Sequence, residues 1–88
     1  MPVASLNRAV AIGRVNGAPA ALDALAKTPG RSSLESYHLF HAVRGSFLAE
    51  LQRRDEALVA FRKAAELATL SSEREFIDRL AHEIEHQG

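Results

Sequence analysis

The chain has 88 residues, no cysteine, and equal numbers of basic and acidic side chains, 11 of each. This length predicts a single domain over residues 1–88, and the lack of cysteine excludes disulfides and thiolate metal sites. The charge balance argues against direct nucleic-acid binding, which needs an excess of positive charge. No apolar run is long enough to span a membrane and no signal peptide is recognisable, so we expect a cytoplasmic protein.

Two helices are predicted at the start of the chain, over residues 2–16 and about 18–27. Gly17 lies between them and is a natural helix stop. Ile12 and Val15 lie on the opposite side of the first helix from its main apolar stripe. Because a helix that is apolar on two sides is usually covered on both, we predict an interaction surface around these two residues. The main stripe consists of Leu6, Ala9, Val10 and Gly13.

Three further helices are predicted after a loop at residues 28–32. Capping boxes at residues 32–35 and 72–75 would open the third and fifth helices, and the fourth would cover about residues 55–69. No segment alternates with the period of a strand. We therefore predict an all-α fold, an antiparallel array of about five helices. The inward stripe of the fifth helix consists of Phe76, Ile77, Leu80, Ala81 and Ile84.

A spacing of small and aromatic residues marks the third and fourth helices. Ala57, Phe61 and Ala64 follow Gly45 by 12, 16 and 19 residues. The pattern resembles the tetratricopeptide (TPR) repeat, whose period is about 34 residues. Antiparallel helices approach closely where small residues face each other and one ring fills the gap. We predict that these four residues form the packing centre of a TPR-like hairpin, although Arg44 replaces a leucine of the pattern.

Two charged residues fall on the inward faces of their predicted helices, Arg44 on the third and Glu73 on the fifth. An unpaired charge in such a place would be costly. We predict an ion pair between them, which would connect neighbouring structural units. In the alternative, the stem of Arg44 packs along Leu48 and its guanidinium lies in water.

Four histidines could suggest metal or proton chemistry. The segment from His82 to His86 matches H-E-x-x-H, the zinc-binding motif of many metalloproteases. Only two residues follow it, although a third ligand is normally found further along the chain, and both histidines lie opposite the apolar stripe. We predict a solvated face there, and packing or hydrogen-bonding roles for His38 and His41. No catalytic residue, metal site or cofactor is predicted, and no enzyme activity.

Several short segments spread along the chain form one pattern: LNRAVA at 6–11, YH at 37–38 with HA at 41–42, Arg44, EA at 56–57, and ER at 73–74 with Phe76. Together they resemble the C-terminal extension of one group of bacterial extracytoplasmic-function (ECF) RNA polymerase sigma factors. The similarity covers about residues 2–84. It implies a TPR-like domain that follows two DNA-reading sigma domains and controls transcription through protein contacts. Both sigma domains are absent from this sequence, which is either an excised domain or a free-standing relative.

Two hypotheses about function remain open at this point. In the first, the chain is a regulatory domain that contacts sigma-factor domains or RNA polymerase, and the preceding sigma domain covers its first helix. In the second, it is a free-standing TPR-like adaptor that binds a peptide of another protein. Under either hypothesis, we expect the surface around Ile12 and Val15 to produce a weak homodimer when the chain is isolated.

Overall fold

The computed structural model describes residues 2–28 and 31–86. Within these ranges the chain forms six α-helices and no strand, so the all-α prediction is confirmed, with one helix more than expected. The helices are α1 (Pro2–Asn16), α2 (Ala18–Ala26), α3 (Arg31–Leu34), α4 (His38–Glu50), α5 (Arg54–Leu67) and α6 (Ser71–Glu85). No helix in the described part of the chain is long and apolar enough to cross a membrane.

Helices α1 and α2 fold back on each other at a single residue, Gly17. This glycine has a φ of 95°, in the left-handed region that other residues rarely adopt. The bounds predicted for the first helix are those observed. Gly13 sits where α1 passes closest to its neighbours: a Cβ atom there would lie 2.8 Å from the Cβ of Ala21 and 2.6 Å from the ring of Phe47. The bare backbone at Gly13 therefore allows α1 to pack closely against both α2 and α4.

The prediction that a helix opens at Ser32 with a capping box is wrong. The chain instead makes one helical turn, α3, and α4 begins only at His38 after an extended residue, Tyr37. In an unbroken helix, Leu34 and Phe40 would point about 120° apart. The break allows both side chains to enter one buried cluster with Leu6 and Leu25.

The second half of the chain forms a larger core. Helices α4 and α5 pack against each other after a short turn, in which Gln52 takes a left-handed φ of 63°, and α6 packs along α5. The buried side chains of this part include Phe61, Ile77 and Ile84. No polar or charged residue is fully buried in the part of the chain that the structure describes. Any chemistry of these residues is therefore expected at the surface.

Candidate interaction surfaces

The predicted packing centre of the α4–α5 hairpin is buried. Ala57 and Ala64 have no exposed area and Phe61 is 1% exposed. A Cβ atom on Gly45 would lie 2.8 Å from Cε1 of Phe61, inside van der Waals contact. The structure thus brings the four residues together, and the absence of a side chain at Gly45 leaves room for the ring. This close packing gives the surfaces on α4 and α5 a rigid base.

The predicted ion pair between Arg44 and Glu73 is wrong. The structure pairs Glu73 with His38 instead, with 3.3 Å between Oε2 and Nε2. His38 lies at the start of α4, six residues before Arg44. The sequence pattern placed Glu73 correctly on the side of α6 that faces α4. It gave the wrong partner because α6 meets α4 near the first turn of α4, away from Arg44.

The other oxygen of Glu73 determines where α6 begins. Oε1 accepts a hydrogen bond from the backbone N–H of Leu70 at 3.2 Å, and α6 starts at the next residue, Ser71. This is the carboxylate half of a capping box, because a leucine side chain has no acceptor to return the bond. The capping box predicted at residues 72–75 is therefore wrong by two residues.

A small apolar hollow of about 150 Å³ lies between α4 and α6, beside the His38–Glu73 pair. Its walls include Leu39 and Phe76, which are 41% and 56% exposed. Phe76 was predicted on the inward stripe of the fifth helix, but the structure turns its ring towards solvent. Helix α6 is attached to the core through Ile77 and Ile84 instead.

His41 and His38 have the structural roles that the sequence suggested. Nε2 of His41 donates a hydrogen bond to the carbonyl oxygen of Glu35 at 2.8 Å, and its ring packs edge-on against Phe40. This bond fastens the connector between α3 and α4 to the first turn of α4. His38 connects α4 to α6 through Glu73.

His82 and His86 are exposed near the end of α6, with their ring centroids 4.1 Å apart. In the described part of the chain, no group of three histidine or carboxylate side chains is arranged to hold a metal ion. The two histidines alone could supply half of the four ligands that zinc usually takes in proteins.

We predict that this pair does not form a zinc site. Titration with zinc, followed by calorimetry, should show no tight binding with one ion per chain. His82→Ala and His86→Ala should each change the free energy of unfolding by no more than about 0.5 kcal/mol, as expected for ordinary surface positions. Stoichiometric, tight binding that either substitution abolishes would contradict this prediction.

The surface predicted around Ile12 and Val15 lies on α1. Val15 is 82% exposed, whereas Ile12 is half-buried and lines a groove of about 240 Å³ between α1 and α2. Arg8 and Lys27 line the same groove, and α1 has no acidic residue. The structure thus shows an uncovered helix face that carries apolar and basic side chains.

This chain is similar in sequence to part of a longer bacterial protein. An uncharacterized protein of Rhizobium meliloti (strain 1021) is 43% identical over 86 residues, which cover 93% of this chain and 20% of that protein. The chain thus spans about a fifth of the length of the relative that it matches. No protein-family model and no solved structure matches the chain.

Proposed function

We propose that the chain is a regulatory protein-interaction domain of an ECF-type RNA polymerase sigma factor, with a TPR-like arrangement of its helices. The observation that carries this proposal is the face of α1 on which Val15 exposes most of its side chain. On α1, Ile12 also lines a groove with the basic side chains of Arg8 and Lys27. Sigma-factor domains or RNA polymerase would cover this face during transcription initiation. We assign no catalytic role to the domain, no cofactor and no direct contact with nucleic acid.

The two ends of the helical array differ in a way that supports this choice of surface. Arrays of stacked helices end in apolar surface unless a terminal helix with a polar outer face covers it. Helix α6 is such a helix, and the exposed polar residues along it and at its C-cap include Glu75, Asp78, Arg79, His82 and His86. No helix within residues 2–28 and 31–86 covers Val15 of α1, which is open to solvent. A preceding domain would therefore bind at the α1 end.

The size of the Rhizobium meliloti relative is compatible with this arrangement. The matching stretch is 20% of that protein, so most of its chain lies outside the region of similarity. The two DNA-reading domains of a sigma factor fit within such a length. In the full-length protein, we propose that the domain lies in the cytoplasm with the polymerase.

The first test of the proposal is the DNA sequence upstream of the codon for Met1. We expect an open reading frame that continues upstream into two sigma-type helical domains. The full-length protein should then direct transcription in vitro from its promoter. Substituting Ile12 and Val15 together by glutamate should change that transcription activity. Thr69→Glu, at an exposed position between α5 and α6, should leave it unchanged. A reading frame that encodes no sigma domain would contradict the proposal and favour the free-standing adaptor.

The isolated domain is expected to form a weak dimer through the α1 face. Two copies can cover this face symmetrically, as most small homodimers do. Sedimentation equilibrium at high protein concentration should show self-association that the Ile12→Glu, Val15→Glu double substitution abolishes. Val59→Glu is the matched control, because it places a carboxylate at another exposed apolar position. A monomeric parent domain, or a dimer insensitive to the double substitution, would show that the α1 face is not the interface.

A further inference from the structure

A second surface, formed by one row of side chains on α4, has no role in the proposal above. Phe40, Arg44 and Leu48 follow one another at intervals of four residues and form the floor of a trough between α2 and α5. Two hollows meet at Phe40 and Arg44, one of about 130 Å³ on the α2 side and one of about 330 Å³ on the α5 side. Eight residues of helix separate Phe40 from Leu48, so the floor is about 12 Å long.

The α5 side of the trough is mostly apolar, whereas polar and apolar groups contribute about equally to the α2 side. Leu22 and Leu25 belong to the α2 side, and Val59 and Ala60 to the α5 side. Val59 is 63% exposed at the edge of the α5-side hollow. A partner that covered Val59 would remove apolar surface from water, and this burial is the main driving force of protein association.

The charges along the trough are unequal. Its lining residues include three permanent cations, Arg44, Arg53 and Lys63, and one carboxylate, Glu35. The Arg53 guanidinium donates two hydrogen bonds to the Glu56 carboxylate, at 2.6 and 3.1 Å. Lys63 lies 3.9 Å from Glu66 on the same helix.

Arg44 differs from these two cations. It is half-buried between Phe40 and Leu48, and no described residue accepts a hydrogen bond from it or forms an ion pair with it. Arg44 is half-buried as a residue, whereas its unpaired guanidinium nitrogens remain accessible to water. A carboxylate of a partner can therefore reach them directly. The planar guanidinium is suited to bind a carboxylate through two parallel hydrogen bonds.

We propose that this trough binds an acidic amphipathic helix of a partner protein. A carboxylate of the partner accepts hydrogen bonds from Arg44, and a neighbouring apolar side chain enters the α5-side hollow against Phe40 and Val59. Helices commonly bind in apolar grooves in this way, through side chains one turn apart. The length of the floor corresponds to about two helical turns of the partner. This inference does not depend on the sigma-factor proposal.

The same observations disfavour the other classes of ligand. Nucleic acid is bound through several free cations along a surface, and two of the three cations here already have carboxylate neighbours. A cofactor is usually enclosed on most sides, whereas the larger hollow opens past the exposed side chain of Val59. A helix that lies across the trough requires neither many free cations nor an enclosed cavity.

The test uses two blocked synthetic peptides of about 16 residues, a length at which a helix can form on binding. Both have leucine at positions one, four, five and eight of the helix pattern, and they differ only in having glutamate or lysine at the polar positions. Fluorescence anisotropy should show binding of the glutamate peptide and no binding of the lysine peptide. Arg44→Gln should lower the affinity for the glutamate peptide by at least about tenfold, which is the effect expected for a lost charge-assisted hydrogen bond.

Two further variants separate the possible causes of weaker binding. Arg62→Gln removes the same charge from an exposed position on α5 outside the trough, and should leave affinity within about twofold at moderate salt. Because Val59 is exposed, the Val59→Glu variant should remain folded. The substitution should nevertheless abolish binding of the glutamate peptide, because it places a carboxylate in the trough. Thermal melts followed by circular dichroism would verify that each variant is folded.

Three outcomes would overturn the proposal. The first is no binding of the glutamate peptide at concentrations up to about 1 mM, where even a weak complex would be detected. The second is equal affinity for the glutamate and lysine peptides. The third is equal affinity of the Arg44→Gln and Arg62→Gln variants, which would mean that Arg44 only covers apolar surface with its stem.

Discussion

Replacing Phe61 by alanine is expected to lower the free energy of unfolding by about 3–5 kcal/mol. The ring is 1% exposed and lies against Gly45, which has no side chain to fill the cavity. Its buried neighbours Ala57 and Ala64 carry only methyl groups. A domain of this size has a total stability of about 5–15 kcal/mol, so the loss would be a large fraction of it. Urea denaturation followed by circular dichroism would measure the change.

Val59→Ala is the matched control for this measurement. Val59 lies two residues before Phe61 on the same helix but is 63% exposed, so its truncation should alter the free energy of unfolding by no more than about 0.5 kcal/mol. If Phe61→Ala unfolded at the same urea concentration as the parent chain, the ring could not lie in the core of the α4–α5 hairpin.

The second large effect is expected for Gly13→Ala. Helix propensity and side-chain packing predict opposite signs for the change in the free energy of unfolding. Helix propensity alone predicts that Gly13→Ala stabilises α1 by about 1 kcal/mol. The structure predicts a loss of stability, because the new methyl group would lie 2.6 Å from the Phe47 ring and 2.8 Å from the Cβ of Ala21. The Cβ of Ala21 is fixed to the backbone of α2 and cannot rotate away. Overpacking of this kind costs about 1–3 kcal/mol, so we expect net destabilisation.

A double-mutant cycle would identify the source of that loss. Phe47→Leu removes part of the ring that the new methyl group meets. The two substitutions together should therefore destabilise the domain by less than the sum of their separate effects. Ser46→Ala, at an exposed position of α4, controls for helix propensity. An increase in the melting temperature of Gly13→Ala would show that α1, α2 and α4 are packed less closely than described.

Local sequence signals predicted much of the fold. A glycine that adopts a left-handed conformation is a strong signal for the end of a helix, and Gly17 predicted the C-terminal end of α1. The spacing of Gly45, Ala57, Phe61 and Ala64 depends only on the repeat of a helix and on the sizes of the side chains. These four residues are buried together because close helix packing requires small residues opposite one ring.

Features that depend on how helices cross could not be predicted in the same way. The periodic pattern shows which side of a helix is apolar, but not where along its length a neighbour meets it. For this reason the pattern predicts Arg44 as the partner of Glu73, whereas the actual partner is His38, six residues earlier on α4. Likewise, Ser32 has the local features of a helix start, but burying Leu34 requires a break in the chain.

The trough on α4 was only partly visible in the sequence. The sequence signal for the trough is Arg44, a charged residue at a position where the repeat pattern has leucine. The walls of the trough come from α2 and α5, and the whole of α3 and α4 lies between these helices in the chain. Val59 showed no sign of its role, since a valine on a helix is equally consistent with the core or the surface.

Glu73 couples two features of α6, because the same carboxylate caps its first turn and attaches it to α4. Its two oxygens hold the N–H of Leu70 and the ring of His38, so neither bond survives a displacement of this side chain. A fluctuation that melts the first turn of α6 therefore also breaks the contact of Glu73 with α4. Helix α6 should open and close as one cooperative segment during sub-global unfolding, rather than fraying turn by turn from its first residue.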